Sequence, residues 1–290
     1  MYQNFIPTHY PSCFRGGAPT LTYSWKKKVG ENVSPPRILH SHASMVELFL
    51  ITGGTTDYTI GQQRYAVKEG DIIVVNAGVL HDEDARLAAS TTVFGIGLCD
   101  VAVVDMPDNA LLPTGDCPVI PLGDCYDTVR GIMSVIHALL SDDTVQYAEA
   151  CQMMASGLVS MLVRLFQQNA TPDVTDSRSE QLTARIRAYI DAHYSEDITL
   201  QAIGDALHVN RYYLAHVFKE STGYSPMQYV TRLRIGKAQA LLTETSYPIA
   251  QIAGMAGYDN PSHFNAMFTK YIGMSPGKYR KTFLSAEHGK

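Results

Sequence analysis

The sequence predicts an α+β protein with an N-terminal antiparallel β-barrel, two helices after the barrel and an all-helical C-terminal domain. Short apolar runs separated by turns such as Gly53-Gly54 and Gly61-Gln62 fill residues 37–98, which is the pattern of antiparallel strands. From Tyr126 onward, apolar residues recur at helical spacing. A chain of 290 residues is also long for one hydrophobic core, so two domains are expected.

The barrel region contains five β-type runs, at residues 45–52, 57–60, 64–67, 71–75 and 91–97. Ahead of them, Trp25 and Lys26-Lys27-Lys28 indicate a strand end with a solvated charge cluster. The first helix after the barrel has an apolar stripe formed by Tyr126, Val129, Met133, Ile136 and Leu140. The stripe of the second consists of Val145, Ala148, Gln152, Ala155, Val159, Leu162 and Phe166. Two amphipathic helices are therefore expected.

A polar stretch that contains Pro172 and has no periodicity predicts a linker between the domains. The predicted division is residues 1–168, a linker at 169–179, and residues 180–290. Residues 177–290 carry 13 Lys and Arg against 9 Asp and Glu, whereas residues 1–176 carry 10 against 19. Only the C-terminal part is suited to approach a polyanion, although its net charge alone fits a solvated helical surface equally well.

Composition argues against several classes of protein. Residues 1–14 lack the features of a signal peptide, and no apolar run is long enough to cross a bilayer. A cytoplasmic protein without a membrane partner is therefore expected. The five cysteines are scattered without a C-x-x-C pair, which argues against a disulfide framework and a zinc knuckle.

An internal repeat of about 50 residues organises the C-terminal part. Residues 223–229 and 273–279 share the frame Gly-x-Ser-Pro-x-x-Tyr, and each copy has the layout of a helix-turn-helix unit. In the first copy, Thr199 is expected to cap one helix, and residues 208–210 form the turn before the next. Packed helices without any role in DNA binding are the alternative interpretation.

The second copy carries its own turn signals. Gly257 lies at the turn, and Asn260-Pro261 supply a cap and a first helical residue. In the first copy, the spacing turns Leu214 and Phe218 inward. The opposite face, which a major groove would meet, is expected to carry Arg211, Tyr212, Ala215, His216 and Lys219.

Four segments add detail to this repeat. They read Asn-Arg-Tyr-Tyr-Leu-Ala-His-Val-Phe-Lys at 210–219, Ile-Ala-Gly-Met-Ala-Gly-Tyr at 252–258, Ser-His-Phe at 262–264 and Ser-Pro-Gly-Lys-Tyr-Arg at 275–280. Together they resemble the signature of the AraC/XylS family of transcription regulators. The resemblance implies two helix-turn-helix units joined by a helix at 226–243, with double-stranded DNA, RNA polymerase and a second copy of the chain as partners.

Matched position by position, the base-reading sites of that family fall on Arg211, Tyr212, Ala215 and His216 in the first unit, and on Pro261, Ser262, Asn265 and Ala266 in the second. Lys219 and Lys270 are further candidate DNA contacts. The chain departs from the family pattern where Ala215, Pro261 and Ala266 replace longer polar side chains. The second unit is therefore expected to read bases poorly and to hold mainly phosphate.

In the barrel region, His40, His42, Glu47, Gly70, Asn76, Gly78 and His81 resemble the two cupin motifs. His40 and His42 share one face of a strand, whereas Glu47 has the opposite parity and joins them only if the chain turns between Ala43 and Val46. Three imidazoles and a carboxylate suit a first-row divalent metal. The alternative requires no cofactor: the same four side chains bind a small polar effector, such as a sugar, within an apolar cavity.

The two helices after the barrel are expected to hold a homodimer together. The second helix offers surplus apolar surface at Met153, Met154, Leu158, Met161, Leu162 and Leu165. The leading hypothesis is a DNA-binding transcription regulator, not an enzyme, that is controlled by an effector in the barrel. The runner-up is a metal-dependent cupin enzyme with a helical C-terminal domain, and the third candidate is a structural DNA binder without an effector.

Overall fold

The computed structural model describes residues 11–28, 38–61, 63–83, 91–142, 144–169 and 178–287. Its N-terminal part contains two antiparallel sheets. One has the order β1-β7-β2-β5-β8, formed by β1 (Thr20–Lys27), β7 (Thr92–Cys99), β2 (Met45–Gly53), β5 (Asp71–Val75) and β8 (Val119–Pro121). The other has the order β4-β3-β6, formed by β4 (Gln63–Lys68), β3 (Thr55–Ile60) and β6 (His81–Glu83).

The five predicted strands are confirmed, and each lies within two residues of its observed bounds. Three further strands appear, of which β6 and β8 span only three residues each and are too short to show a periodicity. The prediction of a solvated charge cluster after Trp25 is wrong for Lys27, which is buried. Lys27 ends β1 opposite Val93 of β7, so pairing with the neighbouring strand carries it into the barrel.

Strand β2 lies at the centre of the larger sheet and is buried on both faces. Its residues alternate between two apolar clusters, as the pleat of a strand requires. Val46, Leu48 and Leu50 belong to a cluster shared with the following helices. Phe49 and Ile51 belong to a second cluster, between the two sheets. Glu47 has the parity of this second set and therefore faces the barrel interior.

Two helices, α1 (Tyr126–Asp142) and α2 (Thr144–Asn169), cover the outer face of the larger sheet. The predicted stripe of α1 is confirmed at its centre, where Val129, Met133 and Ile136 are fully buried. The stripe predicted for α2 is wrong at its start, because Val145 is 89% exposed. Among the described residues in this first part of the helix, only Tyr147 packs against the core, partly buried, and full burial begins at Cys151.

This packing corrects one part of the dimer hypothesis. Leu158 and Leu162 have no exposed surface and belong to the core between sheet and helices. They are therefore unavailable to a second subunit. Met153 is 66% exposed and points away from that core, while Met154 and Met161 are partly buried against it.

Seven helices form the C-terminal part: α3 (Arg178–His193), α4 (Leu200–Leu207), α5 (Arg211–Thr222), α6 (Pro226–Glu244), α7 (Ile249–Met255), α8 (Pro261–Ile272) and α9 (Pro276–Glu287). They share one hydrophobic core, which also includes Ile38 and Leu39 from the N-terminal part. Of the predicted linker, Asn169 ends α2 and Arg178 begins α3, whereas residues 170–177 lie outside the described residues.

The helix-turn-helix geometry predicted for both repeats is present. Thr199 and Asn210 cap α4 and α5 through their side-chain oxygens, and His208 takes the left-handed conformation in the turn between them. Gly257 has φ +83°, and a β-carbon there would lie 2.8 Å from Cα of Ser195. Glycine is therefore required at this turn by conformation and by space. In the described part of the chain, no helix has the length and apolarity needed to cross a membrane.

Candidate DNA-binding surface and barrel site

The exposed face of α5 carries the predicted base-reading residues of the first unit. Leu214 and Phe218 are fully buried, whereas Arg211, Tyr212, His216 and Lys219 are exposed and Ala215 is half-buried. Tyr212 has 69% of its surface exposed, which is high for an aromatic residue without a partner surface. One face of α5 is therefore exposed and accessible to a DNA groove.

The Arg211 side chain is held in place by neighbours that sequence reasoning missed. Its guanidinium donates to Oε1 of Gln201 on α4 at 3.0 Å and to the hydroxyl of Tyr212 at 2.9 Å. The same guanidinium lies 4.9 Å from the centre of the Tyr212 ring. Because these contacts are exposed, each is weak. They orient the guanidinium but do not prevent it from exchanging them for a contact with DNA. Further along, His216 Nε2 lies 3.4 Å from Glu220, so this face is not uniformly positive.

The corresponding face of α8 is exposed but offers fewer donors. Its five predicted DNA contacts are all exposed: Pro261, Ser262, Asn265, Ala266 and Lys270. Asn260 Oδ1 accepts from the backbone N–H groups of Ser262 and His263 and so fixes the start of the helix. His263 is also exposed on this turn and was not predicted as a contact. At the predicted base-reading positions, the side chains on α8 are thus shorter than those on α5.

In the barrel, His40, His42, Glu47 and His81 come together as the cupin resemblance implied. One ligand atom from each residue lies within 4.8 Å of the others. His40 and His81 form an isolated antiparallel bridge, with hydrogen bonds of 3.0 and 2.8 Å between their main chains. The turn required between Ala43 and Val46 is present, because β2 starts only at Met45 and the chain bends just before it. These four residues are called the barrel site below.

Glu47 is the electrostatic centre of the barrel site. Its Oε2 lies 2.7 Å from Nε2 of His81 and 3.6 Å from Nε2 of His42, while the Tyr23 hydroxyl donates to its Oε1. Burial alone raises the pKa of Glu47, but His81, His42 and Tyr23 outweigh it and lower this pKa to about 2. Glu47 therefore stays a carboxylate at neutral pH. Tyr23 was not identified from the sequence as a partner of Glu47. A tyrosine two residues before Trp25, on a strand that contains both polar and apolar residues, gives no distinct sequence signal of such a role.

The contact between Glu47 and His81 also bears on what the barrel site can hold. Glu47 Oε2 and His81 Nε2 are both buried, and neither forms a hydrogen bond of acceptable geometry with a described residue. Their approach to 2.7 Å is thus an electrostatic contact rather than a well-formed hydrogen bond. Buried polar atoms of this kind normally have a partner. A cation coordinated by both would supply one, and the donor set fits it.

Aromatic rings form the wall beside the barrel site. The Phe49 ring lies 5.9 Å from the His81 ring, and Trp25 and Tyr58 lie 5.7 and 6.0 Å from Phe49. An apolar wall with a few polar groups is the usual lining of a small-molecule site. A separate cavity of about 480 Å³ lies between β1 and the helices α1 and α2, and Tyr23 contributes to its lining.

The barrel site lies directly against the C-terminal helices. Asp82, the neighbour of His81, accepts hydrogen bonds from Arg232 of α6, one of them 2.9 Å long. Burial raises the pKa of Asp82 to about 6, although the charge of Arg232 opposes that shift. The Leu39 carbonyl lies so close to Gly236 that a methyl group on α6 would overlap it. Nothing in the sequence indicated this contact, because it joins segments 150 residues apart.

Comparison with known proteins gives two matches to family models. A helix-turn-helix domain model matches residues 203–282, and a cupin domain model matches residues 25–87. The first covers most of the two helix-turn-helix units, and the second covers the four residues of the barrel site. Both matches agree with the positions of the two kinds of site described above.

Several relatives are transcription regulators by name. The uncharacterized HTH-type transcriptional regulator YdiP of Escherichia coli (strain K12) is 26% identical over 84% of this chain and 81% of its own length. The lactose operon transcription activator of Staphylococcus xylosus is 34% identical over 33% of this chain and 34% of its own. Among solved structures, the C-terminal domain of AraT, a response regulator from Geobacillus stearothermophilus, is 38% identical with a TM-score of 0.36, over 37% of this chain and 88% of that chain.

The matches agree with the geometry. Along the chain, a cupin barrel is followed by two capped helix-turn-helix units with exposed recognition helices. Two relatives that align over most of both chains are themselves named as helix-turn-helix regulators. The comparisons therefore support a DNA-binding transcription regulator of the AraC type with an N-terminal cupin domain.

Proposed function

We propose that the first helix-turn-helix unit reads the DNA sequence and that the second mainly secures the protein to the phosphate backbone. The observation that carries this proposal is the exposed face of α5, where Gln201 and Tyr212 orient the Arg211 guanidinium. An arginine in that position can donate two hydrogen bonds to the O6 and N7 atoms of guanine. On α8, Pro261 and Ala266 have no side-chain donor, and Lys270 suits a phosphate contact.

Arg211→Ala is expected to weaken binding to a specific DNA site by about 1–3 kcal/mol, because a bidentate contact to guanine is lost. Binding to random DNA should change much less. Lys270→Ala is the matched control on the second unit, and it should weaken specific and random DNA by similar factors. Titration of a selected site and a scrambled duplex with each variant measures both effects. Equal losses on the two duplexes for Arg211→Ala contradict the assignment.

The remaining DNA contacts of this proposal follow the same two helices. Tyr212, Ala215, His216 and Lys219 complete the first surface, and Ser262 and Asn265 offer the short polar groups of the second. The distance between successive recognition helices should correspond to about one turn of DNA, near 10 base pairs. Acting at promoters, the protein would meet RNA polymerase, and it would do so in the cytoplasm, where bacterial DNA is located.

We further propose that the barrel site binds the controlling ligand. Glu47 is buried and ionised, and its Oε2 has no hydrogen-bond partner among the described residues, so a ligand that offers positive charge or a hydrogen-bond donor suits this position. A first-row divalent cation fits the donor set of His40, His42, Glu47 and His81 and would supply a fixed positive charge at Glu47. A small polar molecule, such as a sugar, is the other ligand that this lining suits. The Staphylococcus xylosus relative is named for a lactose operon, which supports a sugar.

Glu47→Gln is expected to weaken binding of Zn²⁺ by about tenfold or more, because the substitution removes the one anionic ligand while keeping its shape. Zn²⁺ binding to chelator-treated full-length protein, followed by calorimetry and by the shift in melting temperature, measures this effect. Asp57→Asn is a suitable control, since Asp57 lies on β3 in an exposed ion pair with Arg64. A wild-type protein that ignores Zn²⁺ but is stabilised by a sugar or a small acid favours the organic effector.

A homodimer is proposed through the outer surfaces of α1 and α2. Val135, Val145 and Met153 are exposed there, at 47%, 89% and 66% of their surfaces. Exposed apolar residues grouped on one pair of helices are typical of an interface rather than of scattered surface positions. The proposed division of the chain remains residues 1–168 for ligand binding and dimerisation, a linker at 169–179, and residues 180–290 for DNA binding.

The second candidate function is a metal-dependent cupin enzyme, and the four converging ligand atoms are the observation that favours it. Two features weigh against it. The barrel site is packed against α6, the helix that joins the two DNA-binding units, and the relatives are named as transcription regulators. We therefore propose that the barrel performs no catalysis and acts as a sensor.

A further inference from the structure

We propose that a joint between the two helix-turn-helix units, built around Arg234 of α6, fixes the recognition helices α5 and α8 relative to each other. The joint consists of Arg234, the loop at residues 194–196 and the turn at residues 257–258. Arg234 is a positioning residue in this proposal, because it acts on DNA binding through the elements that it holds. The inference rests on the proposed contact of the second unit with the phosphate backbone.

The loop at residues 194–196 leads from α3 into the first unit, and Arg234 holds it by its main chain. Nε of Arg234 donates to the carbonyl oxygen of Tyr194, and Nη2 donates to that of Glu196, both at 2.6 Å. Because both acceptors belong to the main chain, these hydrogen bonds fix the path of the loop. The loop continues to Thr199, which caps the first helix of the unit.

The turn at residues 257–258 belongs to the second unit and lies against the same guanidinium. This guanidinium is 5.4 Å from the centre of the Tyr258 ring, which is buried. The Tyr258 ring lies 5.6 Å from the ring of His263 and 5.4 Å from that of Phe264, both at the start of α8. One cation therefore contacts the entry to the first unit and the aromatic residue that supports the recognition helix of the second.

The two units also approach each other directly at Gly257. A β-carbon there would lie 2.8 Å from Cα of Ser195 and 2.9 Å from Nε of Arg234. At the corresponding turn of the first unit, His208 has the same left-handed conformation, with φ +55°, and its side chain is exposed. A side chain is thus tolerated at such a turn where there is space for it. The second turn has none, because it is pressed against the loop that enters the first unit.

The charges around Arg234 come from both sides of the joint. Asp197 follows the loop of the first unit, and Asp259 follows the turn of the second. Both carboxylates raise the pKa of Arg234, whereas burial lowers it. Each unit therefore supplies a negative charge that favours the guanidinium in its position between them.

The joint removes a freedom that α6 alone would leave. Short connections at residues 223–225 and 245–248 flank this helix, and a chain held only by α6 could bend at either of them. With the joint closed, α8 is already placed at the DNA backbone when α5 occupies its groove. The contacts of the second unit then form without a further loss of rotational freedom.

The test is a double-mutant cycle on DNA binding by the full-length protein. The probe is a duplex that the wild-type chain selects from random sequence. Arg234→Met removes the donors of the joint, and Lys270→Ala removes the proposed phosphate contact of the second unit. Arg280→Met is the matched control, since Arg280 donates to the carbonyls of Leu242 and Tyr247, at the end of α6 and in the loop that follows it.

We expect Lys270→Ala to weaken binding by about fivefold in the wild-type and Arg280→Met backgrounds, but by less than about twofold in the Arg234→Met background. A smaller folded fraction lowers all affinities alike and does not produce this difference. Arg234→Lys is the second variant, because it keeps the charge but lacks the planar fork that reaches two carbonyls. The loss that Lys270→Ala causes in this background should lie between those two values.

Hydroxyl-radical footprinting of the same complexes gives an independent readout. The wild-type protein and Arg280→Met should protect two backbone segments about 10 base pairs apart, whereas Arg234→Met should protect mainly the first. Two protected segments in every variant, with equal losses for Lys270→Ala in all backgrounds, overturn the joint and leave the roles of the two units intact. A wild-type complex with one protected segment overturns the proposed role of the second unit and, with it, the positioning role of Arg234.

Discussion

Leu162→Asp is expected to unfold the N-terminal part of the protein rather than simply to separate two subunits. Leu162 has no exposed surface and lies between α2 and the larger sheet. Truncation of a buried leucine typically costs about 2–5 kcal/mol, and a carboxylate left in the same place adds the cost of burying a charge. The loss of free energy of unfolding should therefore be at least about 3 kcal/mol. Thermal unfolding followed by circular dichroism measures it.

Met153→Asp is the matched control, because Met153 lies on the same helix but is 66% exposed. This variant should keep the wild-type melting temperature to within a few degrees, since exposed positions tolerate charge. If α2 forms the proposed dimer interface, Met153→Asp should also shift sedimentation toward the monomer. A folded, dimeric Leu162→Asp protein contradicts the packing described for this helix. A folded Met153→Asp protein that stays dimeric at low micromolar concentration places the interface elsewhere.

Arg232→Met should destabilise the docked arrangement of barrel and helices strongly. The substitution leaves the carboxylate of Asp82 buried without its cation, and loss of one partner from a buried ion pair costs about 3–5 kcal/mol. If the barrel separates from α6 instead of unfolding, Asp82 becomes hydrated, and the cost is limited to the docking free energy. Hydrogen exchange at the main-chain amides of residues 38–40 and 81–82 distinguishes separation from unfolding.

Two further variants test this interpretation of the ion pair. The double variant Asp82→Asn with Arg232→Met should recover much of the lost stability, because it removes the buried charge as well as its partner. Arg130→Ala, which breaks an exposed ion pair with Asp127 on α1, should change stability by no more than about 1 kcal/mol. A loss for Arg232→Met as small as that for Arg130→Ala shows that the Asp82 contact is not buried in solution.

The sequence predicted those features whose signal is local. Short apolar runs between turns located β2 and β5, and the caps and turns at Asn210, Gly257 and Asn260 located the recognition helices, because these effects act between residues close along the chain. The four residues of the barrel site were found through motif spacing, and their convergence in the structure agrees with it.

Features that depend on packing between distant segments were not predictable in this way. An apolar stripe on α2 does not reveal whether it faces the chain's own sheet or a partner, and Leu158 and Leu162 were assigned to the wrong surface. The buried pair Asp82 and Arg232 has no sequence signature, since each residue is of a type usually exposed. Helix α6 is buried on nearly all sides, but nothing in the sequence indicated that an element from the N-terminal part covers it.

Trp25 provides an intrinsic fluorescent probe inside the barrel. It is the only tryptophan of the chain, and its ring packs on Phe49, which in turn touches His81. Intrinsic tryptophan emission of the full-length protein therefore originates within two side chains of the barrel site, with no contribution from the DNA-binding helices. Ligand arrival in the barrel can be followed without a label and in the presence of DNA, so the order in which the two partners bind is open to direct kinetic measurement.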